Sequence, residues 1–253
     1  MIRRLLTMLT FGIAFGCAWP ASVALTFTSA PVVDPKPLNG KQAVRLANAL
    51  YRNYTAGGAH FAAGVPARRG GVRVLQGAIS WKLHVASAVY EGLAGTSEKP
   101  RRIVWSPSLV VESGVPGLAP AARKARRAGV HFVARPLDPQ SSGFDSVLAL
   151  VNGFAATRPE NPLLLQQGKA RYLGKELIGG VVCERYSFGK LTFWLDSVGD
   201  ARRIAAQVLA YPQLVVFDFP DHHLATIGVP RKFDVVPLTA VPQLKGKLAR
   251  DLR

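Results

Sequence analysis

The stretch from Lys169 to Phe219 alternates apolar and polar residues in short runs separated by very short turns, and that spacing leaves an antiparallel sheet as the available arrangement. Ala170 to Ile178 and Val181 to Phe188 meet at Gly179-Gly180. Leu191 to Asp196 follows, Val198-Gly199-Asp200 turns into Arg202 to Leu209, and Gln213 to Phe219 closes the run. Parallel neighbours would need much longer crossovers. Leu191, Phe193 and Leu195 share one face, and Ile204, Ala206 and Val208 give the next strand its apolar face, so the segment is a meander with one buried side.

The same period runs upstream. His60 to Val65, Val72 to Ser80 and Trp81 to Glu91 read as consecutive strands, the last with Trp81, Leu83, Val85 and Val89 on one face and Lys82, His84 and Tyr90 on the other. Arg101 to Ser113 adds one or two strands broken at Pro107, and "VHFVARPLD" resumes after a basic segment. Helical spacing appears twice. From Lys41 to Ala56 it places Val44, Ala47, Leu50, Tyr51 and Tyr54 together with Arg45 and Arg52 turned away, until Gly57-Gly58 ends it. From Gly143 to Thr157 it aligns Phe144, Val147, Leu148, Val151 and Phe154, with Ser141 or Ser142 as cap, Asp145 at the positive end, and Pro159 and Pro162 beyond. A short helical turn over Leu163 to Gln167 is expected next. No internal repeat emerges, and the second helix interrupts one sheet, so the expected fold class is α+β in a single folded unit.

The ends read differently from the middle. Met1-Ile2-Arg3-Arg4 precedes a run from Leu5 to Phe27 without a charged residue, the pattern of an export segment. Three readings fit it: cleavage after Ser22-Val23-Ala24, lipidation at Cys17 behind a weak lipobox, or retention as a membrane anchor. Residues 1–27 are therefore expected to be a signal peptide or anchor, 28–40 a proline-rich linker, 41–240 the folded domain, and 241–253 a basic, frayed tail. All three readings place the domain in the extracytoplasmic cell envelope.

The chain carries 32 Lys and Arg against 15 Asp and Glu, a formal net charge of +17. Such a surface attracts polyanions, and an exported chain meets anionic lipid headgroups and wall polymers before nucleic acid, for which no specific role is expected. An Arg-rich composition accounts for part of the excess without any partner. The densest cluster is Arg123, Lys124, Arg126 and Arg127, read as a short solvated helix or loop and as the basic-surface candidates.

Signposts of catalysis are absent from the sequence: there is no GxGxxG, phosphate loop, HExxH, CxxC or GxSxG. Cys17 lies in the export segment, so Cys183 is the folded part's lone cysteine, a free thiol or a buried small residue on a strand rather than a nucleophile. Asp221-His222-His223 is the best metal-like cluster, but neighbouring histidines on extended backbone point in opposite directions and no second cluster lies near it in sequence. His60, His84 and His131 are scattered over other strands. No metal, cofactor or catalytic residue is expected, and the protein is read as a non-enzyme.

The aromatic residues leave two readings open. Trp81, Trp105, Trp194, Phe132, Phe193 and Phe217 with Leu83, Val85, Ile204 and Val208 either pack an ordinary core or line an apolar cavity under a strongly curved sheet that two helices cover incompletely.

The order of elements, with "YRNYTAGGAHF", "GAISWKLHVASAVYE", "RPENPLLLQQGKARYLG" and "FWLDSVGDARRI", resembles the LolA-like fold, which includes the outer-membrane lipoprotein carriers and the actinobacterial LppX/LprG lipoproteins. More closely, these segments resemble uncharacterised exported actinobacterial proteins. The resemblance spans about Lys41 to Pro237, and its motifs mark shape rather than a catalytic site. It implies an unclosed, curved antiparallel half-barrel with helices over the concave side, holding a lipid or an acylated molecule. The alternative function is a basic surface docking on anionic wall polymer or an acidic protein partner, with no ligand cavity.

Overall fold

The computed structural model describes residues 34–66, 71–91 and 99–249, and the expected export segment lies outside them. In chain order the elements are β1 (Lys36–Pro37), α1 (Gly40–Ala56), β2 (Gly58–Pro66), β3 (Val72–Ser80), β4 (Val85–Tyr90), β5 (Arg101–Trp105), β6 (Leu109–Ser113), α2 (Leu118–Lys124), β7 (Phe132–Pro136), α3 (Gly143–Gly153), α4 (Pro162–Gln167), β8 (Arg171–Ile178), β9 (Val181–Phe188), β10 (Leu191–Leu195), β11 (Ala201–Ala206), β12 (Val215–Asp218) and β13 (Val235–Pro237).

The strands form one sheet in the order β1-β8-β9-β10-β11-β12-β2-β3-β4-β5-β6-β7-β13. Neighbours are antiparallel except β7 and β13, which run parallel. β1 and β13 are its open edges, so the sheet curves without closing, as the resemblance implies. The meander keeps the expected register: Leu191 faces Ala206 and Phe193 faces Ile204.

One face of this sheet wraps the helices. Ala59, Phe61, Ala63 and Val65 of β2, Leu75 and Ile79 of β3, Ile103 and Trp105 of β5, and Phe193, Ile204 and Phe217 of the meander share a core with Leu46 and Ala47 of α1 and Phe144, Val147, Leu148 and Val151 of α3. Edge-to-face ring contacts fix α3 from two sides: Phe144 against Tyr90, and Phe154 against Phe217. Indole N–H groups add direction, with Trp81 donating to the Val151 carbonyl and Trp105 to the Leu148 carbonyl, each at 3.0 Å.

Both helices begin on side-chain caps. Asn39 Oδ1 accepts from the Gln42 N–H while Gln42 Oε1 accepts from the Asn39 N–H, a reciprocal capping box. Ser142 caps α3, accepting from the Asp145 N–H. Asp145 does more than suit the positive end, because it is fully buried against Arg135 of β7.

Several sequence expectations change. The inner face of α1 is Ala43, Leu46, Ala47 and Asn53, while Val44 is half exposed, and Arg45 and Arg52 do not point idly to solvent but pair with Glu184 and Asp200. Trp81–His84 is a turn, with His84 at φ 52°, so the strand starts at Val85 rather than Trp81. The linker is partly structured: Lys36–Pro37 pairs with β8, and Leu38 is buried. The tail is not frayed as far as Ala249. Leu244 and Leu248 join Val115, Leu118, Val133 and Val236 in a second small core, and Glu112 accepts the Ala249 N–H on both carboxylate oxygens at 3.0 Å. Burial raises the pKa of Glu112, against the pull of Arg101 and that N–H.

Candidate functional site

Among the described residues, the aromatic side chains of the concave side are packed against the helices. Trp81, Trp105, Phe193, Ile204, Val208 and Phe217 are all buried in the main core between sheet and helices, so of the two readings left open the packed one describes them. The other cavity candidates do not face this interior. Leu83 sits in the Trp81–His84 turn and is 68% exposed. Val85 precedes the inward-facing Ala86 and so points outward, Phe132 lies opposite the inward Val133, and Trp194 opposite Phe193 and Leu195. Alternation placed Leu83 and Val85 with Trp81, whereas Phe132 and Trp194 were named only as large apolar residues on strands, and here apolar residues occupy both faces of the sheet.

The outer side of the sheet also carries apolar residues. Ile178, Cys183, Trp194, Ala205 and Val216 form a separate cluster on the outer side of β8 to β12. The cluster is flanked by charge held in pairs: Arg185 with Glu176 at 3.2 Å, and Arg203 with Asp218 through two hydrogen bonds of 2.5 and 2.9 Å. Trp194 joins the first pair by donating its indole N–H to Glu176 at 2.8 Å. Paired guanidinium groups keep their stems on apolar surface.

The row continues across β12 into a groove. Val216 pairs with Gly64, and Gly64 with Val74, so the outer face of β2 presents Gly64 and Pro66 beside Val72 of β3. Gly64, Pro66, Gly71, Val72, Leu214 and Val216 line an apolar depression of about 600 Å³, with Gln213 its polar side chain. Gly64 and Pro66 of the central strand lie at the floor and are buried, and Leu214, 45% exposed, stands at the wall. Gly64 and Pro66, two positions apart on β2, are the part of this lining that the sequence alone could have placed on one face.

Cys183 belongs to the outer cluster and is fully buried. Burial, reinforced by the Asp196 charge, pushes its thiol up to about 11, so the thiolate that would act as a nucleophile does not form at neutral pH. The turn after β10 is a charge-clamped corner. Asp196 Oδ1 accepts the N–H groups of Val198, Gly199 and Asp200, and its Oδ2 accepts from Arg202 at 2.8 Å. Arg123, Lys124, Arg126 and Arg127 end α2 and the turn after it; all four are exposed, and among the described residues no ion pair engages them. Arg123 and Lys124 also sit in the last turn, where the helix carbonyls favour cations.

Alternation in Asp221-His222-His223 holds as expected. His222 turns in to stack on Trp81 at 6.3 Å between ring centroids, while Asp221 and His223 face the other way. His60 of β2, which the sequence left open to meet an acid from another part of the chain, lies against the same carboxylate.

No protein-family model matches the sequence, and no curated protein matches it. Among solved structures the chain is similar to an uncharacterized conserved protein from Thermus thermophilus, at 9% identity over 71% of this chain and 88% of that one, with a TM-score of 0.36. A putative outer membrane lipoprotein-sorting protein domain from Vibrio parahaemolyticus aligns at 8% identity over 72% of this chain and 92% of that one, TM-score 0.32. A LolA superfamily protein from Nitrosomonas europaea aligns at 10% identity over 76% of this chain and 96% of that one, TM-score 0.28.

Proposed function

We propose that the protein is a non-enzymatic component of the cell envelope that binds an acyl chain, and that the chain lies in the outer groove rather than under the concave face. The observation that carries this reading is the groove itself, a depression of about 600 Å³ with a mostly apolar lining, next to Val216 of the outer cluster. Its volume falls within the range of roughly 300–1,000 Å³ usual for small-molecule sites. The export pattern of the sequence supports an envelope location, and the excess of cations suits a ligand with an anionic headgroup.

A fluorescent fatty acyl probe tests it. The protein is expected to bind the probe saturably, and Leu214→Arg, at a half-exposed position where folding tolerates the change, is expected to weaken binding by at least about tenfold by placing a charge against the acyl chain. Unchanged binding in this variant and in Val72→Glu would remove the groove from the proposal, and a failure to bind any acyl probe would remove the function.

The free cations at the end of α2 favour a second reading, docking on an anionic surface. Vesicles containing phosphatidylglycerol are the measure. Replacing Arg123, Lys124, Arg126 and Arg127 together by Gln is expected to lower partitioning by at least about tenfold, on the order of 1 kcal/mol per cation being available near such a surface. Binding that is indifferent both to the substitutions and to salt of about 0.5 M would sink it.

A further inference from the structure

From the structure we infer that His60, Asp221 and His223 form a binding site for a divalent transition-metal ion, with zinc the natural occupant. The site is separate from the acyl groove and does not depend on that reading.

Three ligand-type atoms already converge. His60 Nδ1 lies 2.9 Å from Asp221 Oδ2, and His223 Nδ1 lies 3.0 Å from Asp221 Oδ1. The two imidazoles meet edge to face with centroids 4.8 Å apart, and the three donor atoms all lie within 4.8 Å of one another. An ion bonded to nitrogen and oxygen at roughly 2.0–2.2 Å needs donors separated by about 2.9–3.5 Å. The two histidine–carboxylate edges meet that requirement as they stand. The third edge closes by rotation of His223, whose side chain is 52% exposed and so has room to turn.

The frame behind these atoms is fixed. His60 is on β2, and its backbone N–H donates to Asp221 Oδ1 at 3.0 Å, which orients the carboxylate. His222, on the opposite side of the segment, is anchored against Trp81 and Phe219. Gly58 passes so close that a Cβ there would sit 2.4 Å from the Ile79 carbonyl oxygen and 2.9 Å from that of His223, so the backbone carrying His223 is held against β2 and β3.

The donor set selects the ion. Two imidazoles and one carboxylate suit zinc and its late first-row neighbours, whereas calcium and magnesium require mostly oxygen. Three protein ligands on a partly exposed surface leave coordination positions to solvent or to a group carried by a partner.

Tag-free protein titrated calorimetrically with zinc chloride, in a buffer that does not chelate, is expected to bind one equivalent with an apparent Kd tighter than about 10 µM. His223→Ala and His60→Ala are each expected to weaken binding by at least about tenfold, while His84→Ala and His131→Ala, which alter exposed histidines elsewhere, leave it unchanged. Magnesium chloride is expected to give no saturable heat. Zinc affinity unchanged from that of the unsubstituted protein in His223→Ala and His60→Ala, or the absence of saturable zinc binding in a protein with its native circular dichroism, would overturn the site.

Discussion

Asp145→Ala is expected to lower the unfolding free energy by about 3–5 kcal/mol, a large share of the roughly 5–15 kcal/mol that holds a domain together. Arg135 and Asp145 are 1% and 0% exposed in their side chains and meet through two hydrogen bonds of 2.6 and 2.7 Å. The carboxylate also accepts the Asp138 N–H at 2.8 Å, so it ties β7 and the following loop to the first turn of α3. Removing it leaves a guanidinium without its counter-ion in the interior and loosens the helix that fills the concave side. Arg135 Nε has no partner among the described residues, which adds to the cost of keeping this side chain buried once Asp145 is gone. The double change Arg135→Met with Asp145→Leu is expected to recover much of the loss, since an apolar pair of similar size avoids burying either charge. Urea denaturation followed by tryptophan fluorescence measures all three proteins. A loss below about 1 kcal/mol in Asp145→Ala would mean the pair is not buried as described.

The strands of the meander were legible because alternation and glycine turns act locally: Gly179-Gly180 and the Val198-Gly199-Asp200 corner each fix a reversal within a few residues. Face assignment was less legible. Alternation set Phe193 with Leu191 and Leu195, away from Trp194, but nothing within β10 says that Trp194 joins a second apolar cluster outside, held by Glu176 from β8. Similarly, Trp81 and Leu83 continue the alternation of a strand that has already ended, because a four-residue turn can carry the same parity as extended chain. The buried tail had a readable signal in Val241, Leu244 and Leu248, whose spacing was masked by the surrounding lysines. His60 had none. It lies 161 residues before Asp221, and only the pairing of β12 with β2 brings the two together.

Asp196→Ala is expected to cost about 2–4 kcal/mol at pH 7, and the size of the loss should itself depend on pH. The side chain is 4% exposed and satisfies three backbone N–H groups of one turn with a single oxygen while its second oxygen holds Arg202. Alanine leaves the N–H groups of Val198 and Asp200 unmatched at the reversal that connects β10 to β11, while the Gly199 N–H keeps the Asp196 carbonyl. Burial alone would raise the Asp196 pKa, but the Arg202 hydrogen bond and the N–H groups of Asp200 and Val198 outweigh it, so the folded carboxyl titrates below the ordinary aspartate value. A depressed carboxyl pKa contributes stability that is fully present above the unfolded value of about 3.9 and is lost as pH falls through the folded value. The gap between wild type and Asp196→Ala, read from urea midpoints, should therefore hold constant from about pH 7 to pH 5 and narrow below about pH 4. Asp200→Asn supplies the contrast. Asp200 holds Arg52 at 2.7 Å, but the two side chains are 25% and 41% exposed, so its loss is expected to stay under about 1 kcal/mol. Two aspartates of the same corner thus differ in effect because one closes the backbone from inside and the other pairs a guanidinium in water, and equal losses from the two substitutions would refute that account.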